Sequence, residues 1–213
     1  MALVHALVRK STYWFSNVDL LKVMARISAA HWPLVLTDGE LILRALRYRD
    51  RGAWLATRRN NREWLTPWEA TSPIAEENRN LPTFFEMVKY HQQEGRAGRS
   101  LSLAMWFEGA LIGQITLGGI SYGAYRGGHI GYWIDKDHAN KGLTTRAVRE
   151  MTRYGLEELG LHRIEINLRP ENVASKRVAE KAGYIFEGLR PRYLHIDGQW
   201  RDHLCFVKEN PRI

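Results

Sequence analysis

The stretch GYWIDKDHANKGLTTR, residues 131–146, decides how this chain reads: an apolar strand runs into a polar turn centred on Gly142, and a helix opens directly behind it. Helix starts leave about four N–H groups without internal partners and carry the positive end of the macrodipole. A strand, a short loop and a helix start in succession therefore form a seat for an anion. Gly142 allows close backbone approach, Lys141 adds a mobile cation, and Thr144 and Thr145 supply hydroxyls at the first helical turn. Phosphate is the anion that such a seat suits. An ordinary strand-to-helix connection with a surface lysine would show the same local pattern.

Outward from this loop the chain alternates between strand and helix periods. Behind it, Leu143 to Leu159 places Ala147, Val148, Met151, Tyr154 and Leu159 on one helical face, and Gly160 ends the helix. Ahead of it, His129 to Ile134 is a strand, preceded by a hairpin of Leu101–Phe107 and Leu111–Leu117 around the Glu108-Gly109 turn. Further upstream, Leu41 to Leu46 reads as a strand and Asp50 as the cap of a helix reaching Arg59. Pro67, Pro73 and Pro82 then break the chain before a helix through Phe84, Phe85, Val88 and Lys89 that closes near Gly95. Downstream come a strand at Ile164–Leu168, a helix at Val173–Ala182 stopped by Gly183, and two last strands holding Ile185 and Trp200–Val207, joined by the Asp197-Gly198 turn. This order predicts an α+β domain built on one twisted mixed sheet flanked by helices.

With 213 residues, 45% hydrophobic and 25% charged, the chain suits one soluble domain, placed at residues 33–213, with residues 1–32 as an N-terminal extension. The apolar run Leu3–Val8 is far shorter than the ~20 residues a bilayer span needs, and no signal-peptide pattern follows it. Leu20, Leu21, Val23, Met24 and Ile27 have helical spacing, and Met24 is an alternative start. A single cysteine, Cys205, excludes an internal disulfide framework and fits a reducing cytoplasm. The net charge of +8 favours acidic or phosphorylated partners, but the basic residues are dispersed, which speaks against nucleic-acid binding as the main role. His138 and His162 stand alone, and no spacing of ligands suggests a metal site.

A second segment, NLRPENVASKRVAEKAGY at 167–184, adds chemistry: Pro170 breaks the strand, Asn172 is an N-cap residue, and Ser175 follows three residues on, beside the C-terminal end of a strand where ligands of α/β sheets collect. Together with IGYWIDKDHANKGLTTRAV and the closing IDGQWRDHLCFV, these residues resemble the GNAT superfamily of acetyl-CoA-dependent N-acetyltransferases, and most of all its RimJ/RimL ribosomal-protein branch. The resemblance runs from about Trp32 to Val207, and TPWEA at 66–70 is similar to the branch's substrate-side region. It implies that Asn140, Lys141, Gly142, Leu143, Thr144 and Thr145 bind the CoA pyrophosphate. It also implies that Tyr132, Trp133, Ile134 and Asp135 run along pantetheine, that Asn172 bonds the pantetheine arm, and that Ser175 serves the departing thiolate. The family usually carries small residues where Asn140 and Thr144 stand, and Glu where Arg146 stands. Asn140 can adopt positive φ, Thr144 tightens the approach of a phosphate, and the charge of Arg146 assists one.

A free α-amino group titrates near ~8, so a strong base is not demanded of the acceptor site. Glu165, on the same strand parity as Asn167 and Arg169, is the leading base candidate, with Glu69 behind it; Glu187 reads equally as a surface ion pair. Ser175 is the acid candidate, because Ala179 stands where some relatives have tyrosine. Trp68 and Glu69 are expected on the acceptor side, and Tyr132, Trp133, Trp14 and Trp106 also read as core aromatics. The expected enzyme is cytoplasmic, a monomer or homodimer, and acetylates a protein N-terminus, that of a ribosomal protein under the branch resemblance. The alternatives are a small-amine acetyltransferase, acting on an aminoglycoside or polyamine, and a noncatalytic acyl-CoA-binding or RNA-associated module.

Overall fold

The computed structural model describes residues 32–74 and 81–213. Trp14 and the expected helix through Leu20 and Ile27 lie outside these residues. Among them, eight strands form one mixed sheet in the order β1-β2-β3-β4-β5-β6-β8-β7. The strands are β1 Val35–Asp38, β2 Leu41–Arg44, β3 Leu101–Phe107, β4 Ala110–Ser121, β5 Gly127–Ile134, β6 Arg163–Leu168, β7 Ile185–Ile196 and β8 Gln199–Glu209. The helices are α1 Arg51–Asn60, α2 Arg62–Leu65, α3 Phe84–Arg96, α4 Leu143–Arg153 and α5 Val173–Lys181. The expected α+β class with one mixed sheet is what the structure has.

The hairpin signals read correctly. Glu108 (φ 49°) and Gly109 (φ 80°) both take positive φ, as a two-residue turn between right-twisted strands requires. The Gly39-Glu40 turn, with Gly39 at φ 53°, closes β1 on β2; β1 has no alternation that the sequence could show, since four residues are too few. Strand β2 stops at Arg44 rather than at Leu46. Arg44 there turns out of the sheet and grips Asp50 through two hydrogen bonds of 2.7 and 3.0 Å. Asp50 precedes α1 as expected, but its carboxylate accepts from Arg47 N at 2.8 Å instead of capping the helix. The expected long helix ending at Leu159 is α-helical only to Arg153 and widens into a π turn over Tyr154–Glu158. In β7, Pro191 lies at a register shift on the edge strand, a place where a missing N–H costs the ladder nothing.

Leu143, Ala147, Val148 and Met151 share one face of α4 and pack against a sheet face carrying Leu43, Leu103, Met105, Ile115, Leu117, Ile130 and Ile164. Each fully buried aliphatic side chain contributes about 1.5–3 kcal/mol, so this layer fixes where α4 begins. The opposite face is capped over β2–β4 by α1 and α3 through Leu46, Phe84, Val88, Ala104 and Leu111, with Trp54, Trp106 and Trp133 at its margin. Tyr132 and Trp133 are therefore core-edge residues, each only partly buried.

Strands β5 and β6 are the parallel pair, and their pairing ends at His129–Glu165. Beyond that point residues 130–132 and 166–168 line the two sides of a cleft. This opening, not any single residue, positions the site.

Candidate active site

The loop behind β5 is shaped by two left-handed residues, Asn140 at φ 61° and Gly142 at φ 78°. Gly142 is the N-cap of α4, and a Cβ there would meet nothing within 4 Å, so the position needs glycine for its φ rather than for space. The first helical bond runs from Arg146 N to Gly142 O at 3.1 Å, which leaves the amides of Leu143, Thr144 and Thr145 as the unpaired first turn. Asn140, Lys141 and Gly142 are exposed, whereas Thr144 and Thr145 are only 7% and 8% exposed. The two threonine side chains are turned into the fold, so neither crowds the loop as expected for Thr144, and the loop's surface is backbone.

Arg146 corrects another expectation. Its Nε donates to Asp38 Oδ2 at 2.7 Å and its guanidinium also bonds the Asp38 carbonyl, so its charge is committed across the sheet to β1. That hydrogen bond and the neighbouring charge hold the Asp38 carboxyl below its ordinary range.

Because Asp135 N donates to Ile112 O at 2.7 Å, the odd residues of β5 bond to β4, and the backbone groups of Tyr132 and Ile134 face away from it into the cleft. Trp64 Nε1 already donates to Ile134 O at 3.1 Å. The Asp135 side chain is used structurally: it accepts from Asn61 Nδ2 at 2.5 Å and meets His138 Nδ1 at 2.6 Å, while Asn61 Oδ1 accepts from Lys136 N at 2.8 Å. Burial works against ionisation of Asp135, but these bonds outweigh it and keep its carboxyl low.

Across the cleft, α5 begins at Asn172, whose Oδ1 accepts from Ser175 N at 3.0 Å. The Asn172 carbonyl is thus the helix cap, and its amide nitrogen is left to donate into the cleft that it lines. Ser175 Oγ lies 2.8 Å from Tyr132 Oη, a contact between β5 and α5 that no local spacing foretells. Burial pushes the Tyr132 phenol up to about 12, with the Ser175 bond acting in the other sense, so it keeps its proton through the neutral range.

The cleft holds a cavity of about 230 Å³ that Tyr132, Asn167, Asn172 and Ser175 help to line. A second cavity of about 430 Å³ opens on the other side of Gly131 and Tyr132, among Arg58, Trp68, Glu69, Gln114, Thr116, His129 and Trp133. Trp68, Gly131 and Tyr132 border both. The loop carrying Trp68 and Glu69 is stitched to the β7–β8 hairpin: Ala70 bridges Ile196, Thr71 N donates to His195 O at 2.9 Å and Asp197 N to Glu69 O at 3.1 Å. Glu69 itself is paired with Arg58, and the Arg58 guanidinium lies 5.1 Å from the Trp133 ring. Arg169 lies 5.4 Å from the Trp68 ring and donates to Pro67 O at 2.8 Å.

Glu165 sits elsewhere than the sequence reading placed it. It is 5% exposed, borders neither cavity, and is bound by Arg190 at 2.7 Å, Tyr125 at 3.0 Å and Arg163 at 3.3 Å. Burial alone would raise its carboxyl, but the bonds from Arg190 and Tyr125 and the charges of Arg190 and Arg163 hold it below the ordinary range. A carboxylate so stabilised is a poor proton acceptor. Glu187 is the surface ion pair that was its other reading, held by Arg163 through two bonds of 2.7 Å. Cys205 joins both carboxylates within 4.8 Å, but Arg163 and Arg190 already supply the positive charge there. Burial pushes the Cys205 thiol up to about 12, which leaves it protonated and inert.

Residues 40–185 match the family model of the acetyltransferase (GNAT) domain. The chain belongs to the GNAT acetyltransferase family. Its relatives include a probable N-acetyltransferase, YjcK, of Bacillus subtilis, 35% identical over 69% of this chain and 91% of that one. They also include the [ribosomal protein uS5]-alanine N-acetyltransferase of Escherichia coli, 29% identical over 83% of this chain and 91% of that one. Among solved structures, Mycobacterium smegmatis RimJ in complex with CoA-disulfide superposes with a TM-score of 0.78 at 32% identity, covering 85% of this chain and 90% of that one. The protein is an N-acetyltransferase. Among the described residues no helix is long and apolar enough to cross a membrane.

Proposed function

We propose that the enzyme transfers acetyl from acetyl-CoA to the α-amino group at a protein N-terminus, that of a ribosomal protein being the favoured acceptor. The observation that carries this reading is that two cavities meet at Gly131 and Tyr132, one in the β5–β6 cleft and one on the open sheet face. A thioester entering from the cleft and an amine entering from the face come together at that junction. The ribosomal acceptor is supported by the E. coli uS5-alanine N-acetyltransferase, matched over most of both chains. A single buried cysteine supports a reducing, cytoplasmic setting.

In this reading the loop Asn140–Thr145 receives the pyrophosphate through backbone N–H groups, with Lys141 beside it. The backbone edge of Tyr132–Asp135, together with the Asn172 amide, aligns pantetheine. The neutral amine nitrogen attacks the thioester carbonyl, the C–N bond forms, the C–S bond breaks with its electron pair going to sulfur, and the proton lost from nitrogen ends on the thiolate as free CoA. Ser175 Oγ stabilises the thiolate by hydrogen bonding, polarised in turn by the Tyr132 hydroxyl. Trp68 and Glu69 border the acceptor side.

Purified protein with acetyl-CoA and peptides beginning with Ala, Ser or Met, followed by free-thiol release and mass spectrometry, tests this. N-terminally acetylated peptide is expected. Release only with polyamines overturns the protein acceptor, and tight acetyl-CoA binding with no release above background overturns catalysis.

A further inference from the structure

We propose that His129 is the general base that takes the proton from the acceptor ammonium, an inference that rests on the acetyl-transfer reading above. The titratable groups bordering the acceptor cavity are Arg58, Glu69, His129 and Tyr132. Arg58 and Glu69 neutralise one another, and Tyr132 holds its proton. Glu165, across the register from His129, is occupied by Arg190, Arg163 and Tyr125 and does not reach the cavity. His129 is therefore the group at this cavity that can accept a proton near neutral pH.

Its berth is built. The β4 ladder slips between Gly118 and Ser121, and Gly119 takes φ 60° there. A Cβ on Gly119 would come within 2.8 Å of His129 Cε1 and 2.9 Å of Nδ1, so the ring occupies space that only glycine leaves open. Neither ring nitrogen has a hydrogen-bond partner among the described residues, so both are free to face a ligand or water. His129 shares a sheet face with Gly131 two residues on, about 6.8 Å between Cα atoms along a strand, and both residues border the acceptor cavity.

His129 is exposed as a residue, but partial desolvation of its ring against the sheet holds the imidazole below its usual value, and the charge of Glu165 pulls it partly back. Facing it, β6 presents the Glu165 carboxylate with its partners Arg163 and Arg190, and β4 presents the uncharged Gly118, Gly119 and Thr116; Arg58 and Glu69 stand across the cavity. The ring is therefore neutral at pH 7. One ammonium N–H bond breaks and its proton goes to an imidazole nitrogen. The freed lone pair forms the C–N bond as the carbonyl π pair moves to oxygen; that pair returns as the C–S bond breaks with its electrons going to sulfur, the second N–H proton passes to the thiolate to give amide and free thiol, and the imidazolium returns its proton to water.

The test compares wild type with H129Q and H129A in kcat/KM for an Ala-initiated peptide from pH 5.5 to 9, with acetyl-CoA affinity measured separately by calorimetry. A loss of about 10- to 100-fold at pH 7.5 is expected. Acetyl-CoA affinity should stay within about twofold, since His129 borders only the acceptor cavity. The ratio of wild-type to variant rate should fall towards one as pH drops through the imidazole's pKa, and added imidazole should restore part of the H129A rate. A purely structural histidine would show neither behaviour. An active wild type matched by H129Q at every pH overturns the base and leaves acetyl transfer standing. A wild type that binds acetyl-CoA but releases no CoA with any peptide or polyamine overturns acetyl transfer, and the base with it. If H129Q fails to fold, H129A with and without imidazole decides, and absence of rescue counts against the base.

Discussion

The contact between Tyr132 Oη and Ser175 Oγ at 2.8 Å makes a quantitative prediction about the departing thiolate. If Ser175 donates to sulfur, S175A removes a hydrogen bond that strengthens as negative charge develops. A donor of this kind in a dry oxyanion site is worth about 2.7–4 kcal/mol. The cleft is open to solvent along one side, which argues for about 1.4–2.8 kcal/mol, or a 10- to 100-fold fall in kcat. Y132F leaves Ser175 in place but removes its polarising partner, a loss of about 1 kcal/mol or roughly fivefold. The two effects act on one proton, so the double variant should be little slower than S175A, with a coupling energy of about 1 kcal/mol. Because burial pushes the phenol up to about 12, wild type should show no alkaline limb from Tyr132 below pH 10. The assay is thiol release under saturating peptide, with melting curves to confirm that all variants are folded. A Y132F effect of equal size in the wild-type and S175A backgrounds would refute the coupled pair, and an S175A enzyme with unchanged kcat would remove Ser175 from the chemistry.

K141A should weaken acetyl-CoA binding about three- to tenfold, more at low than at high salt, whereas R146A should change it by less than twofold because Arg146 is held by Asp38; calorimetry at two ionic strengths distinguishes them. G142A fits sterically but must hold φ 78°, which costs about 1–2 kcal/mol, and thermal melting together with acetyl-CoA affinity should both report it. M151A empties a fully buried position beneath the sheet and should destabilise by about 2–5 kcal/mol in denaturant titration. R190M removes the leading partner of Glu165 and should cost about 2 kcal/mol, less than a fully buried pair because Arg163 remains and Arg190 is partly solvated. In wild type the depressed Glu165 carboxyl supports folding above the unfolded value of about 4.3, and this support is lost as pH falls through the lower folded value. Without Arg190, burial dominates, so acid unfolding of R190M should begin at a higher pH.

The features legible along the chain were those encoded by neighbours. Gly142 before an amphipathic run predicted the left-handed N-cap of α4. The Glu108-Gly109 and Asp197-Gly198 pairs predicted their hairpins, and Asn172 predicted both the start of α5 and its cap on Ser175. Where the reading went astray, a distant partner was responsible. Arg146 looks like a spare cation until Asp38, 108 residues away, is seen to hold it. Glu165 has the strand parity of Asn167, but parity says nothing about Arg190 and Tyr125, which take its lone pairs.

The sequence by itself determined the α+β sheet, the family and the loop at Gly142, because periodicity, turn chemistry and positive φ act over a few residues. Only the tertiary structure decided which groups share the cleft. Tyr132 meets Ser175 across 43 residues, and the 66–71 loop is tied to the β7–β8 hairpin, because the end of β5–β6 pairing at His129 and Glu165 sets where the strands part. Such contacts depend on how packed layers orient side chains, and local periodicity carries no record of that.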